Sequence, residues 1–293
     1  MKNVIVGTAQ FNSVYGINNN KKKLTINEFQ ELCIFMKKIG LCAFDSAESY
    51  NKSHINIKKF YGSDAQIISK ILFDPNIKMN NQETYVDKKI FKILKEIKEK
   101  SIYGILIHNP NIYKSKNFLV FYNQLLKLKK KNIVKKIGFS LYKIEDVEYV
   151  IKNFKFNILQ FPINLFDQRL LKKKIIAKLK KNKIELHIRS IFLQGLLLTP
   201  TNKLKKYFLK WKKHFLFLDK FLFKNKISRI QAIIVLLKNI NFYKKIVIGI
   251  DNKTQLYEFI NIYKKIKTIK KVNFKKLAVN DEKLILPYLW KNI

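Results

Sequence analysis

KKIGFSLYKIEDVEYVIKNFKFNILQF, residues 135–161, decides the fold. "KKIGFS" (135–140) and "NILQF" (157–161) are short apolar runs of strand type. Between them "KIEDVEYVIKNF" (143–154) carries apolar residues at helical spacing, with Ile144, Val147 and Val150 on one side. Two strands separated by a helix pair side by side and parallel, because the helix serves as the crossover.

The same alternation recurs in both directions. Further strand candidates are "NVIVG" (3–7), "CAFD" (42–45), "QIISK" (66–70), "YGILIH" (103–108), "ELHIRS" (185–190) and "KIVIG" (245–249). Helical stretches include "TINEFQELCIFMKKIG" (25–40), "TYVDKKIFKILKEIKEK" (84–100) and "NFLVFYNQLLKLKKK" (117–131). Thr25 with Glu28 three residues later forms the capping-box pattern. Eight strands alternating with helices predict an α/β protein with a parallel sheet, and eight is the number that closes a (β/α)8 TIM barrel. An open doubly wound sheet would ordinarily carry a glycine-rich loop after its first strand, and "GTAQFNSVYG" (7–16) is not G-x-G-x-x-G. No linker or low-complexity tail interrupts the pattern, so residues 1–293 are expected to form a single domain. The segment 203–226 is long for one strand–helix unit and predicts an extra helix.

Composition narrows the function classes. No uncharged stretch is both long and apolar enough to span a membrane: the candidate "SIFLQGLLLTPTN" (190–202) has 13 residues and contains polar groups, against the roughly 18 needed. No secretory leader pattern opens the chain, and two cysteines, Cys33 and Cys42, imply no disulfide framework, so a cytoplasmic location is expected. The formal charge is +40, yet of 60 basic residues only Arg169, Arg189 and Arg229 are arginine and the other 57 are lysine. Lysine is spread along the whole chain, together with abundant Asn, Ile, Phe and Tyr, as in proteins encoded by AT-rich DNA. Arginine is the favoured reader of bases and phosphates, so no specific nucleic-acid partner is expected, only salt-sensitive adhesion to polyanions.

In a (β/α)8 barrel, chemistry gathers at the carboxyl ends of the strands. Asp45 ends the second strand, Tyr50 lies in the following loop, Lys70 ends the third strand and His108 the fourth. Each alone has a structural explanation; together they form a proton-delivery set. A lysine beside a phenol favours the phenolate, a carboxylate partners the buried lysine, and a histidine orients a carbonyl oxygen. Such a set delivers a proton to an alkoxide but no hydride, so a nicotinamide cofactor is required.

The motifs "VGTAQFNSVYGI" (6–17), "FDSAESYNKS" (44–53), "IISK" (67–70), "LIHNP" (106–110), "IGFSLY" (137–142), "ILQFPINLFDQR" (158–169), "RSIFLQGLLL" (189–198) and "IVIGIDNKTQL" (246–256) together resemble the landmarks of the aldo-keto reductases. The resemblance runs from Gly7 to the closing "LPYLW" (286–290). It implies a barrel that uses NAD(P)H, with Asp45, Tyr50, Lys70 and His108 as the catalytic tetrad and Tyr50 as the acid. It places cofactor contacts on Gly7, Thr8, Ser140, Gln160, Arg189, Ser190, Gly249, Asp251, Asn252, Lys253 and Gln255, with no metal. Departures from the family pattern are Leu141 for an asparagine, Arg189 for a frequent tyrosine, Asn51 and His54 in the "YGxSE" loop, and Phe259 after Glu258.

The function implied is NAD(P)H-dependent reduction of an aldehyde or ketone, sugar-like compounds included, because the tail after the last helix is short. Lys253 beside Asp251 implies a small preference for NADPH, with NADH the alternative. Tyr15, Asn109, Phe166 and Trp290 are candidate pocket walls. The competing readings are a cofactor-binding barrel with a regulatory or scaffold role and a charge-driven nucleic-acid-associated protein. The partner expected is a small-molecule carbonyl substrate, with no membrane contact and with the oligomeric state open.

Overall fold

The computed structural model describes residues 3–11, 16–17, 24–50, 52–108, 115–240, 242–266 and 272–290. Eight strands, β1 (Val4–Gly7), β2 (Ala43–Asp45), β3 (Gln66–Ile71), β4 (Ile102–Ile107), β5 (Val134–Ser140), β6 (Ile158–Pro162), β7 (Glu185–Arg189) and β8 (Tyr243–Ile248), pair in chain order into a closed barrel. All pairs are parallel, including β1 with β8, which closes the ring. The (β/α)8 expectation is met, and no helix of the described residues is long and apolar enough to cross a membrane.

Helices α1 (Ile26–Lys38), α2 (Ser53–Phe60), α3 (Gln82–Ile97), α4 (Lys116–Lys130), α5 (Ile144–Asn153) and α6 (Lys173–Lys181) each follow one strand. Thr25 caps α1: Glu28 N–H donates to its hydroxyl at 3.2 Å, and its own N–H donates to Glu28 Oε2 at 2.7 Å. The long connection after β7 holds the anticipated extra helix, as 3₁₀ turns up to Trp211 lead into α7 (Lys212–Asn225), and α8 (Arg229–Asn239) follows. After β8 come α9 (Lys253–Lys265) and the short α10 (Glu282–Ile285).

Most strands are apolar on both faces because both are covered, as parallel sheets require, while the inward faces of β5 and β7 carry Lys136, Ser140, Glu185, His187 and Arg189. Outward residues such as Val6, Phe44, Ile105, Phe139, Leu159 and Ile188 are buried against the helices. Inward, Ile5, Ala43, Ile68, Leu106, Ile158 and Val247 form a second cluster that fills the barrel. β5 contributes Gly138 to that interior, where a Cβ would lie 2.1 Å from the Ile158 carbonyl oxygen on the neighbouring strand. No side chain fits there, so the glycine lets β5 and β6 approach.

Candidate functional site

Side chains two apart on a strand share a face. Stepping two residues from each member of the barrel-filling cluster reaches Gly7, Asp45, Lys70, His108, Gln160 and Gly249. The same step from Gly138 and His187 reaches Ser140 and Arg189. All eight residues line one cavity at the carboxyl ends of the strands. The cavity measures about 380 Å³, within the range of small-molecule sites.

Asp45 is its polar centre. Its Oδ2 accepts from the Lys70 ammonium, and its Oδ1 accepts from Gln160 Nε2 at 2.7 Å. Lys70 also donates to the Ser46 carbonyl at 3.2 Å, and Ser140 Oγ donates to Gln160 Oε1 at 3.2 Å. Asp45, Lys70, Ser140 and Gln160 are all buried. An ion pair taken out of water survives when its remaining valences are filled, and this one has both carboxylate oxygens engaged.

Tyr50 lies beside this pair, with Lys70 Nζ 5.4 Å from its ring centroid. The sequence reading expects the lysine to lower the phenol's pKa. The structure shows the opposite balance: burial raises it, the Asp45 charge and Tyr142 raise it further, and only Arg189 pulls it down. Lys70 is committed to Asp45, so its charge is largely cancelled at the phenol. Tyr50 therefore keeps its proton at neutral pH. His108 is held neutral, its pKa lowered to about 4 by burial, Lys70 and Arg189, against a small opposing effect of Asp45. The site thus presents a protonated phenol and a neutral imidazole together.

A relay of hydroxyls braces the loops after β1 and β2. Thr8 Oγ1 donates to the Asp45 carbonyl (3.1 Å), Ser53 Oγ to Thr8 Oγ1 (2.7 Å) and Ser46 Oγ to Ser53 Oγ (3.0 Å). His54, the departure in the substrate loop, is buried away from the cavity and hydrogen-bonded to Glu96 and Ser69. The turn after β7 is strained: Ser190, Leu193 and Gln194 all have positive φ (56°, 49° and 54°). Each costs on the order of 1–3 kcal/mol, and such strain gathers where backbone shape serves a ligand. Ser190 and Gln194 line the cavity.

Among the other expected cofactor residues, Thr8, Asp251 and Gln255 also line the cavity. Asp251 accepts from Gln10 Nε2 (3.1 Å) and Gln255 Nε2 (3.2 Å). A Cβ at position 249 would lie 2.8 Å from Gln10 Oε1, so the wall there is bare backbone. Asn252 and Lys253 are not among the lining residues. Asn252 caps α9 by accepting from Gln255 N at 2.9 Å, and Lys253 pairs with Glu31 at 3.2 Å on the surface. Of the wall candidates, Phe166 packs on Phe215 and Trp290 on Phe208, neither lining the cavity, while Tyr15, Asn109 and the loop residue Asn51 lie outside the described residues. Reading the sequence missed Tyr142, Gln10 and Phe192 as lining residues. Tyr142 had a signal, two positions beyond Ser140 in "IGFSLY".

The model of the aldo/keto reductase family matches residues 3–277 of the chain. No curated protein matches it. Among solved structures, an aldo-keto reductase from Bacillus halodurans in its holo form superposes with TM-score 0.72 at 12% identity, covering 94% of this chain and 92% of that one. A thermostable aldo-keto reductase in complex with the inhibitor epalrestat gives TM-score 0.68 at 17% identity, covering 94% and 93%. A putative aldo-keto reductase from Pseudomonas aeruginosa gives 0.64 at 14% identity, covering 89% and 88%. At these identities the structural likeness speaks to the fold.

Proposed function

The chain belongs to the aldo/keto reductase family and is an oxidoreductase of that type, and from this premise we propose that it reduces an aldehyde or ketone to an alcohol, with Tyr50 as proton donor. We read residues 1–293 as one domain with this single task. The observation that carries the proposal is the buried Asp45–Lys70 pair with a protonated Tyr50 and a neutral His108 on the same rim.

The lining fits a nicotinamide dinucleotide. Ser140 and Gln160 offer the donors and acceptors a carboxamide needs, and the bare backbone at Gly249 leaves room along the outer part. When bound, the reduced nicotinamide supplies a hydride to the carbonyl carbon. Tyr50 donates its proton to the oxygen as charge develops there; an alkoxide is a stronger base than a phenolate, so the transfer runs downhill. Asp45 holds Lys70 in position beside the Tyr50 ring. His108, being neutral, donates a hydrogen bond to the carbonyl oxygen without competing as an acid. Solvent returns the proton to Tyr50.

The expectation of a small NADPH preference rests on Lys253, whose ammonium is engaged with Glu31. At the outer part of the described lining stand Asp251 and Glu258, while the lining cations, Lys70 and Arg189, sit at the Tyr50 end. A carboxylate accepts a hydrogen bond from a free ribose hydroxyl and repels a phosphate. We therefore read NADH as the preferred form.

The decisive experiment is Tyr50→Phe. It keeps the ring and removes the acid, so carbonyl reduction should fall by about 10²–10⁴, while dinucleotide binding, followed by fluorescence quenching, persists. A variant that reduces its substrate as fast as the parent would remove Tyr50 from the mechanism.

A further inference from the structure

The three arginines are not equivalent. Arg169 grips Asp167 with two bonds, Nε to Oδ1 at 2.9 Å and Nη2 to Oδ2 at 2.8 Å. Arg229 is bound to Asp219. Arg189, at the end of β7 and lining the cavity, pairs with no carboxylate among the described residues.

It is nevertheless held firmly. Its guanidinium carbon lies 3.9 Å from the Tyr142 ring centroid, and Tyr142 is backed edge-on by Tyr288 at 4.7 Å. Nη2 donates to the Leu141 carbonyl at 3.1 Å and Nη1 to Ser190 Oγ at 3.2 Å. Nε is buried and has no hydrogen-bond partner. A guanidinium has five N–H donors, so this one is fixed in place with its capacity only partly used. Its charge is felt at both Tyr50 and His108, which puts it within electrostatic reach of the reacting groups. A partly desolvated cation with no counter-ion is costly, and an arriving anion offsets that cost.

We infer that Arg189 is the receptor for an anionic group on the substrate, so that the carbonyl compounds reduced here carry a carboxylate or phosphate close to the carbonyl. The inference rests on the carbonyl-reductase reading above. Lys70 cannot serve, since Asp45 already takes its charge. The phosphates of a dinucleotide are separated from the nicotinamide by a ribose, and so lie away from the Tyr50 end, whereas a substrate's own substituents lie at that end.

The test compares 2-, 3- and 4-carboxybenzaldehyde with the corresponding methylbenzaldehydes. In the parent, kcat/KM for the best carboxylated compound should exceed that of its neutral counterpart about ten- to hundred-fold, the scale of a hydrogen bond to a charged group. Arg189→Met should bring that ratio to about one, and Arg189→Lys should restore part of it. Circular dichroism checks that both variants fold. In parallel, calorimetry on the protein–dinucleotide complex should show benzoate binding more tightly than benzamide, and Arg189→Met should abolish the difference. If none of the aldehydes is turned over with either dinucleotide while benzoate still binds through Arg189, the anion receptor stands and the carbonyl-reductase reading falls. Equal turnover of charged and neutral aldehydes by the parent, with no benzoate preference, would overturn the inference. So would an Arg189→Met variant that keeps the substrate ratio but loses dinucleotide affinity tenfold or more, because Arg189 would then belong to the cofactor's phosphates.

Discussion

His108 is neutral because of where β4 ends: behind it is the barrel interior, and beside it are two cations, Lys70 and Arg189. Its pKa is lowered from the ordinary 6.5 to about 4. If a neutral imidazole is what orients the carbonyl, kcat/KM should show no inflection near 6.5 and should decline only as pH approaches about 4. A profile that breaks at 6.5 would mean the imidazole is not held as described. The same shift governs stability. Between 6.5 and about 4 the unfolded chain binds the His108 proton and the folded chain does not, so stability is lost as pH falls through that window. The loss from His108 is at most about 3 kcal/mol, and buried His187, lowered chiefly by its own burial, acts in the same direction. Urea unfolding at pH 7.5, 5.5 and 4.5 measures it. Gly138 is a second residue whose environment sets a clear expectation. With a Cβ 2.1 Å from the Ile158 oxygen, Gly138→Ala must push β5 from β6 and should cost about 3 kcal/mol or more, read as a lower urea midpoint.

The elements were largely legible in the sequence, because most strands are short apolar, β-branched runs and most outer helices are amphipathic stretches rich in lysine. Period-two alternation then carried Asp45, Lys70 and His108 to one rim, so the polar centre of the site could be read as well. Alternation says nothing of what lies beyond a strand end. The Gln160–Asp45 bond joins residues 115 apart, and the Arg189–Tyr142 stack joins the end of β7 to the loop after β5. Lys253 is the instructive case: proximity in sequence set it beside Asp251, but the first turn of α9 sends it to Glu31 on α1. That geometry makes the loop after β8 an element-scale determinant of the cofactor. NADH should bind more tightly than NADPH in direct titration, and Asp251→Ala should narrow the gap, mainly by strengthening NADPH. Lys253→Ala should change the ratio little, since an exposed pair contributes only about 0.2–1 kcal/mol. A parent that binds NADPH at least tenfold more tightly would show that the phosphate finds a cation elsewhere.

For the whole molecule, the governing fact is 60 basic residues against 20 acidic ones. Even with every acid paired, 40 cations have no opposite number, and a folded chain holds them closer together than an unfolded one does. Net charge of this size destabilises the compact state through self-repulsion. The repulsion acts over the Debye length, roughly 30 Å at 0.01 M salt and roughly 10 Å at 0.1 M. Added salt should therefore stabilise this protein, whereas a fold held mainly by surface ion pairs would be weakened by it. Raising sodium chloride from 0.01 to 0.3 M should lift Tm by several degrees, given roughly 2–4 °C per kcal/mol for chains of this size. Screening depends on ionic strength and not on which anion supplies it, so chloride and acetate at matched ionic strength should give superimposable curves. A Tm that stays flat across the series would show that the lysines are spaced widely enough for water alone to screen them. A rise that differs between the two anions would point instead to discrete anion sites on the lysine-rich helices.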